Sequence, residues 1–226
     1  MKGRRVLAVL RSSPDFQPRH VQAMQRQLAK WAPDAEFECL SDVPVPGVKC
    51  TPLKYDWPDW WVKMELFRPD IRGDFLCTDL DNVFLGPLDD ILAVDKYTNQ
   101  RGDSNALAYY PQDVCDLVWK EWIKDPARHM HDWDPRNTPF IQQFGDGGYI
   151  KSLLTAEQHW EELLPGQVVN IAFTGKGRSH PNDVWTRRQI ARRLVDLPQG
   201  LRVLLCARPT RPWRMPMFNK LYGEVR

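Results

Sequence analysis

Phe75-Leu76-Cys77-Thr78-Asp79-Leu80-Asp81-Asn82-Val83-Phe84 is an apolar run that ends in two aspartates one residue apart and then turns apolar again. Four apolar or β-favouring residues before a pair of acids read as a short buried strand delivering carboxylates to its carboxyl end. Alternate residues of an extended chain point to opposite sides, so Asp79 and Asp81 can serve one cation only if the chain bends just after Thr78. Hard cations such as Mg²⁺ take oxygen ligands and often use one or two carboxylates together with substrate phosphates. In open α/β sheets the carboxyl ends of the strands are where ligands bind. The alternative is that two aspartates simply open a turn, and the surrounding sequence has to discriminate.

Working outward, Val6 to Leu10 is a compact apolar run that stops at Arg11-Ser12-Ser13-Pro14 and predicts a buried strand entering a polar loop. From Arg19 to Trp31, the residues Val21, Met24, Leu28 and Trp31 recur at helical spacing, and Pro33 closes the pattern. Glu36 to Leu40 and Val48 to Leu53 read as two further strands. This βαβ order predicts a parallel sheet. Trp60 to Phe67 has helical periodicity, Leu88 to Leu92 reads as a short helix, and Cys115 to Ile123 as a Trp-rich amphipathic helix. Asp125 to Pro139 reads as a loop. Phe140 to Leu154 looks helical around a glycine break at Gly145-Asp146-Gly147-Gly148, Arg187 to Leu194 is a basic helix, and Leu201 to Leu205 is a late strand. The basic, proline-rich stretch from Arg208 reads as a solvated tail.

At 226 residues the chain fits a single domain spanning 1–226 and can bury a core without disulfides. Ten tryptophans suggest an aromatic core, with one or two left to stack on planar ligands. A net charge of +2 gives no basis for binding nucleic acid. Five cysteines without a CxxC pair predict reduced thiols and a cytoplasmic protein. The apolar run after the basic start is too short for a signal peptide, and no stretch approaches the length of a membrane span, so a soluble protein is expected.

The segment WWVKMELFRPDIRGDFLCTDLDNVFLGPLDDIL, Trp60 to Leu92, resembles glycosyltransferases of the GT-A fold, especially the glycogenin-like and bacterial lipopolysaccharide family-8 type. There a helix carrying a basic residue precedes an apolar strand, an Asp-x-Asp and an apolar segment followed by Gly-x-Leu. The corresponding parts are Lys63, Phe75 to Thr78, Asp79-Leu80-Asp81, Val83-Phe84-Leu85 and Gly86-Pro87-Leu88. Gly102-Asp103-Ser104-Asn105-Ala106 stands where that family has a sugar-contacting Asn-Ser-small segment. Phe144-Gly145-Asp146-Gly147-Gly148-Tyr149-Ile150 resembles its Gly-Asp-Gln-x-x-Ile element. Leu204-Leu205-Cys206-Ala207-Arg208-Pro209 lies where a Phe-His-Gly-x-Pro-x-Pro segment is expected.

The resemblance implies an α/β fold: a single GT-A, Rossmann-like domain with a central, mostly parallel sheet flanked by helices. It implies a hexosyltransferase using a nucleotide-sugar donor, UDP-linked and with retention, and an unknown glycan, lipid or protein acceptor. Mn²⁺ or Mg²⁺ would be held by Asp79 and Asp81. Donor contacts would come from Arg11, Ser12, Lys63, Asp79, Leu80, Ser104 and Asn105, and Asp146 would be the acid/base or sugar-hydroxyl group. For Lys63, Asp146 and the Arg11-Ser12 pair, the competing readings are a solvated helix lysine, an Asp-Gly turn and a polar loop. Arg208 and Arg211 could close over the diphosphate.

Two positions depart from the pattern. Cys206 stands nearest the family's metal-binding His, and a thiolate prefers softer metals than Mg²⁺ or Mn²⁺; His180 is the other candidate third ligand. Gly147 replaces the Gln after Asp146. A GT-A module that binds without turnover is therefore one alternative. A second is a haloacid-dehalogenase-type phosphatase with Asp79 as nucleophile, although its Asp-x-Asp normally follows the first strand of the domain. The Arg128-to-Asp134 stretch with His129 and His131 reads as a surface loop, and the Trp57-to-Trp61 cluster as packing. The Arg187, Arg188, Arg192 and Arg193 face limits membrane contact to peripheral association.

Overall fold

The computed structural model describes residues 4–100, 105–138, 145–170, 200–206 and 211–222. Among these, the strands form two sheets. The larger has the order β3 (Lys49–Pro52), β2 (Glu36–Ser41), β1 (Arg5–Leu10), β4 (Phe75–Thr78), β7 (Leu107–Tyr110), β6 (Thr98–Asn99) and β8 (Gln158–His159). The first four run parallel, β7 runs against both its neighbours, and β6 pairs parallel with β8. The sheet is mostly parallel, as expected. The smaller sheet joins β5 (Val83–Phe84), β10 (Val203–Leu205) and β9 (Val168–Asn170).

Both faces of the large sheet are covered, which is why its central strands read as continuous apolar runs. Along β1, Val6, Ala8 and Leu10 face α1 (Pro18–Trp31), where Val21, Met24 and Leu28 are buried. Leu7 faces the opposite layer, with Trp61, Met64, Phe67 and Trp122. α1 begins at Pro18, whose missing N–H is no loss in a first turn. On the other face, α2 (Gln112–Trp122) places Trp122 between Trp57, at a ring separation of 5.1 Å, and Trp61, at 5.3 Å. The Trp57-to-Trp61 cluster is thus core packing.

Three local expectations are corrected. Trp60 to Phe67 lies in a 3-10 helix, Asp59–Phe67, rather than an α-helix. A three-residue period sends Trp61, Met64 and Phe67 into the core together and leaves Trp60 in line with Lys63. The Leu88 region makes a single i-to-i+4 bond, from Leu92 N to Leu88 O at 2.8 Å, and does not continue as a helix. The expected loop after Asp125 contains α3 (Pro126–Asp132), started by Pro126 and by the Asp125 carboxylate, which accepts the Arg128 N–H at 3.0 Å.

α4 (Gly145–Leu153) starts at the glycine that was read as a break, and the short α5 (Trp160–Leu163) follows β8. Residues 140–144 and the basic Arg187-to-Leu194 segment lie outside the described residues. The stretch from Arg211 is not a solvated tail. Trp213, Met215, Phe218 and Tyr222 form a third apolar cluster with Ala23, Val83, Leu204 and Cys206, ending in α6 (Asn219–Tyr222). No described helix is long and apolar enough to cross a membrane.

Candidate active site

Asp79 and Asp81 sit where β4 leaves the sheet. The Asn82 N–H donates to Asp79 O at 3.1 Å, closing a turn across both aspartates, so the bend that a shared site needs is present. The turn is fixed from below by buried Asn82. Its side-chain amide donates to Thr78 Oγ1 at 3.0 Å and to Ala106 O at 2.6 Å, and Ala106 O also accepts the Asp79 N–H at 2.8 Å. Ala106 opens the strand next to β4, so sheet pairing and turn geometry are one construction. Leu80, between the two acids, points into the core and is 3% exposed.

Each carboxylate is held by a cation from a different flank. Lys63, from the 3-10 helix, places Nζ 2.6 Å from Asp79 Oδ1 and 3.8 Å from Asp146 Oδ2 in the first turn of α4. The two acids outweigh burial and keep this ammonium protonated well above the usual lysine range. On the other flank, Arg211 Nη1 donates to Asp81 Oδ2, with both side chains nearly buried. The guanidinium lies over the Phe16 ring, 4.3 Å from its centroid, and Nη2 is 3.8 Å from Asp15. Nη2 is buried and has no hydrogen-bond partner among the described residues. Burial, and next the charge of Asp79, push the Asp81 carboxyl up to about 7 against the opposing pull of Arg211 and Lys63.

These donors fit a hard divalent cation. Two carboxylates leave one turn, they are oxygen donors, and Asp79 keeps a quarter of its side chain accessible. The three acids Asp79, Asp81 and Asp146 face the two cations Lys63 and Arg211. A third protein ligand is not found: no cluster of three His, Cys, Asp or Glu side chains among the described residues is arranged to hold a metal. Cys206 suits the role poorly, because a thiolate prefers softer metals than Mg²⁺ or Mn²⁺, and burial, with the Asp81 charge adding, raises its thiol well above the usual range. His180 and Ser104 lie outside the described residues.

Asn105 is buried beside the turn, and its Nδ2 has no partner among the described residues, which leaves a donor for a ligand oxygen. Arg11 and Ser12 follow β1, one strand over at the same sheet edge, but their polar groups are engaged. Arg11 reaches Asp56 and the Trp57 carbonyl at 2.5 Å each, and Ser12 gives its N–H and hydroxyl to Asp42 at 2.8 and 2.7 Å. Gly145 has φ 69°, and a Cβ there would lie 2.5 Å from the Trp60 indole nitrogen. That close approach brings Asp146 beside Lys63. His129 and His131 are not a metal pair: His129 bonds the Glu121 carbonyl at 3.2 Å and packs on Tyr149, while His131 meets Asp132.

Sequence reasoning offered Arg211 for the diphosphate but read its stretch as a solvated tail, and it missed the Arg211–Asp81 pair, Asn82 and the Trp60–Gly145 contact. For Arg211 the available signal was Pro212-Trp213 directly after it, since a buried indole next door ties the arginine to the core.

A haloacid-dehalogenase arrangement is not what the chain adopts. Three strands precede the one that bears the acids, whereas that arrangement places them after the first strand of the domain. No family model and no curated protein matches the sequence. Solved structures do match. The galactosyltransferase LgtC, determined with donor and acceptor sugar analogues, superposes with a TM-score of 0.56 at 11% identity, over 98% of this chain and 97% of LgtC. The apo form of the glycosyltransferase GlyE from Streptococcus pneumoniae TIGR4 gives 0.60 at 14% identity, over 100% of this chain and 61% of GlyE. The chain has the fold of the GT-A glycosyltransferases.

Proposed function

We propose that this chain is a glycosyltransferase, acting as one domain, that moves a hexosyl group from a UDP-sugar to an acceptor hydroxyl with retention of configuration. The observation that carries the reading is the acidic turn at the carboxyl edge of β4, clamped between Lys63 and Arg211 in a GT-A fold. Transfer breaks the bond from the anomeric carbon to the diphosphate oxygen, and the electron pair leaves on that oxygen. A new bond forms from the anomeric carbon to the acceptor oxygen, whose hydroxyl proton passes to the departing diphosphate. Mn²⁺ or Mg²⁺ held by Asp79 and Asp81 would neutralise charge on the leaving group.

The chain's own groups supply the remainder. The free Nη2 of Arg211 is a donor for a phosphate oxygen. Lys63 holds Asp79 and Asp146 in place and adds positive potential. Asn105 donates to a sugar hydroxyl, and Asp146 accepts from one or meets the developing charge at the anomeric carbon. Arg11 and Ser12 border the nucleotide, and Leu80, its side chain in the core, adjoins it through its backbone alone. The acceptor is a hydroxyl of a glycan, lipid or protein.

A second reading is a module that binds the donor without turnover, favoured by Cys206 in place of a histidine and by Gly147 in place of an amide. Calorimetry with UDP-, GDP- and CMP-sugars, with and without Mn²⁺, combined with chromatography of released nucleotide, tests both. Mn²⁺-dependent UDP-sugar binding with release of UDP supports the transferase. Binding with no release across acceptors supports the module. If no sugar nucleotide binds, or if Asp79→Asn and Asp81→Asn leave binding unchanged, both readings fall.

A further inference from the structure

Arg211 and Asp81 form the most enclosed ion pair at the site. The guanidinium side chain is 3% exposed and the carboxylate 9%, and Nη1 donates directly to Oδ2. A divalent ion on Asp81 would sit about 2.1 Å from a carboxylate oxygen. It would meet the guanidinium at close range in a poorly screened pocket, where like charges repel strongly. Both cations cannot rest on this carboxylate unless further negative charge arrives.

The surroundings of Arg211 provide a second place for it. Asp15 lies 3.8 Å from Nη2, and its carboxylate also holds Arg214 at 2.5 Å. The guanidinium lies 4.3 Å from the Phe16 ring centroid, between the two acids, and its Nη2 lacks a hydrogen bond among the described residues. Asp81 is thus one station, and Asp15 together with a phosphate oxygen is the other. Lys63, by contrast, touches Asp79 and Asp146 and leaves Asp81 alone.

We propose that Arg211 is a built-in counter-ion that competes with the divalent cation for Asp81 and yields it only when a nucleotide diphosphate arrives. The inference rests on the placement of the cation under Proposed function. Its consequence is that metal and nucleotide bind poorly alone and well together, which guards the acidic turn against stray cations. Arg211 acts here as a positioning residue, since it sets the occupancy of Asp81 through competition.

The test is titration of Mn²⁺ into the full chain, followed by the EPR signal of free Mn²⁺, with and without UDP. The wild type is expected to bind Mn²⁺ weakly alone and at least tenfold more tightly with UDP. Arg211→Gln is expected to tighten binding of Mn²⁺ alone at least tenfold and to shrink the gain from UDP below threefold. Arg211→Lys keeps the competition. Asp15→Asn, which removes the second station, is expected to weaken Mn²⁺ alone by at least threefold and gives an independent answer if Arg211→Gln fails to fold. Should Arg211→Gln, or in its absence Asp15→Asn, leave Mn²⁺ affinity as in the wild type while Asp81→Asn abolishes it, the competition is wrong and the cation's location stands. Mn²⁺ binding that survives Asp81→Asn, or none in any variant, overturns the cation placement and this inference with it.

Discussion

Lys63 and Asp79 meet at 2.6 Å, the ammonium carried by a 3-10 helix and the carboxylate by the end of the central strand β4. The two groups are mostly buried; Lys63 is the main charge opposing the rise that burial imposes on the Asp79 carboxyl, while Lys63 itself is kept charged by Asp146 together with Asp79. This one contact locks the 3-10 helix onto the sheet edge and fixes the height at which the acidic turn stands.

Lys63→Met should therefore cost about 3 kcal/mol, because it leaves a carboxylate without its partner away from water. Adding Asp79→Asn should recover most of that loss. Urea unfolding of the two single variants and the double variant measures the coupling. A double variant no more stable than Lys63→Met would show that the pair does not act as a unit.

Gly145→Ala should destabilise the chain by about 2 kcal/mol or more, through the left-handed backbone and the collision with the Trp60 indole. In a Trp60→Ala background the same change should cost only the backbone share, about 1 kcal/mol. Equal costs in both backgrounds would remove the indole from the explanation.

Asp146→Asn should lower sugar transfer by about 10²- to 10⁴-fold while leaving UDP affinity within threefold. Loss of UDP binding to the same extent as transfer would reassign Asp146 to nucleotide binding.

His20 sets a pH dependence. It is buried and stacked on Trp213 at 3.8 Å; burial, aided by Arg19 and Arg211 and opposed by Asp15, pushes its imidazole down to about 4. Between pH 6.5 and 4 the unfolded chain takes up a proton that the folded chain refuses. The contribution is thus complete above pH 6.5 and is lost as the pH falls towards 4. Stability should drop by about 2 kcal/mol from this group between pH 7.5 and 5. His20→Gln should remove that part of the slope in urea titrations, and an unchanged slope would place its origin elsewhere.

Legibility followed local pattern. β1, α1 and β2 were readable because their apolar residues cluster or repeat as the element that buries them requires; β3, which buries no residue, was readable from the short Val48-to-Leu53 segment that follows the turn at Gly47. The acidic turn and Lys63 were readable from an ordered motif. The two-residue strands β6 and β8 carry no period at all, and in the 3-10 helix Trp61, Met64 and Phe67 recur at i, i+3 and i+6, a spacing whose first step is shared with an α-helix. Arg211 lay in a proline-rich basic stretch, and its burial depends on Asp15, Phe16 and Asp81, none of which is near it in sequence. Asn82 was likewise hidden, because its partner Ala106 becomes a neighbour only once the sheet has formed.

Arg211 and Asp81 are separated by 130 positions along the chain. A contact of that span closes only after the intervening loop entropy has been spent, so it belongs to the end of folding rather than its nucleus. The acidic turn is therefore completed from a distant part of the sequence, and a molecule whose 211–222 segment is undocked leaves Asp81 without its guanidinium.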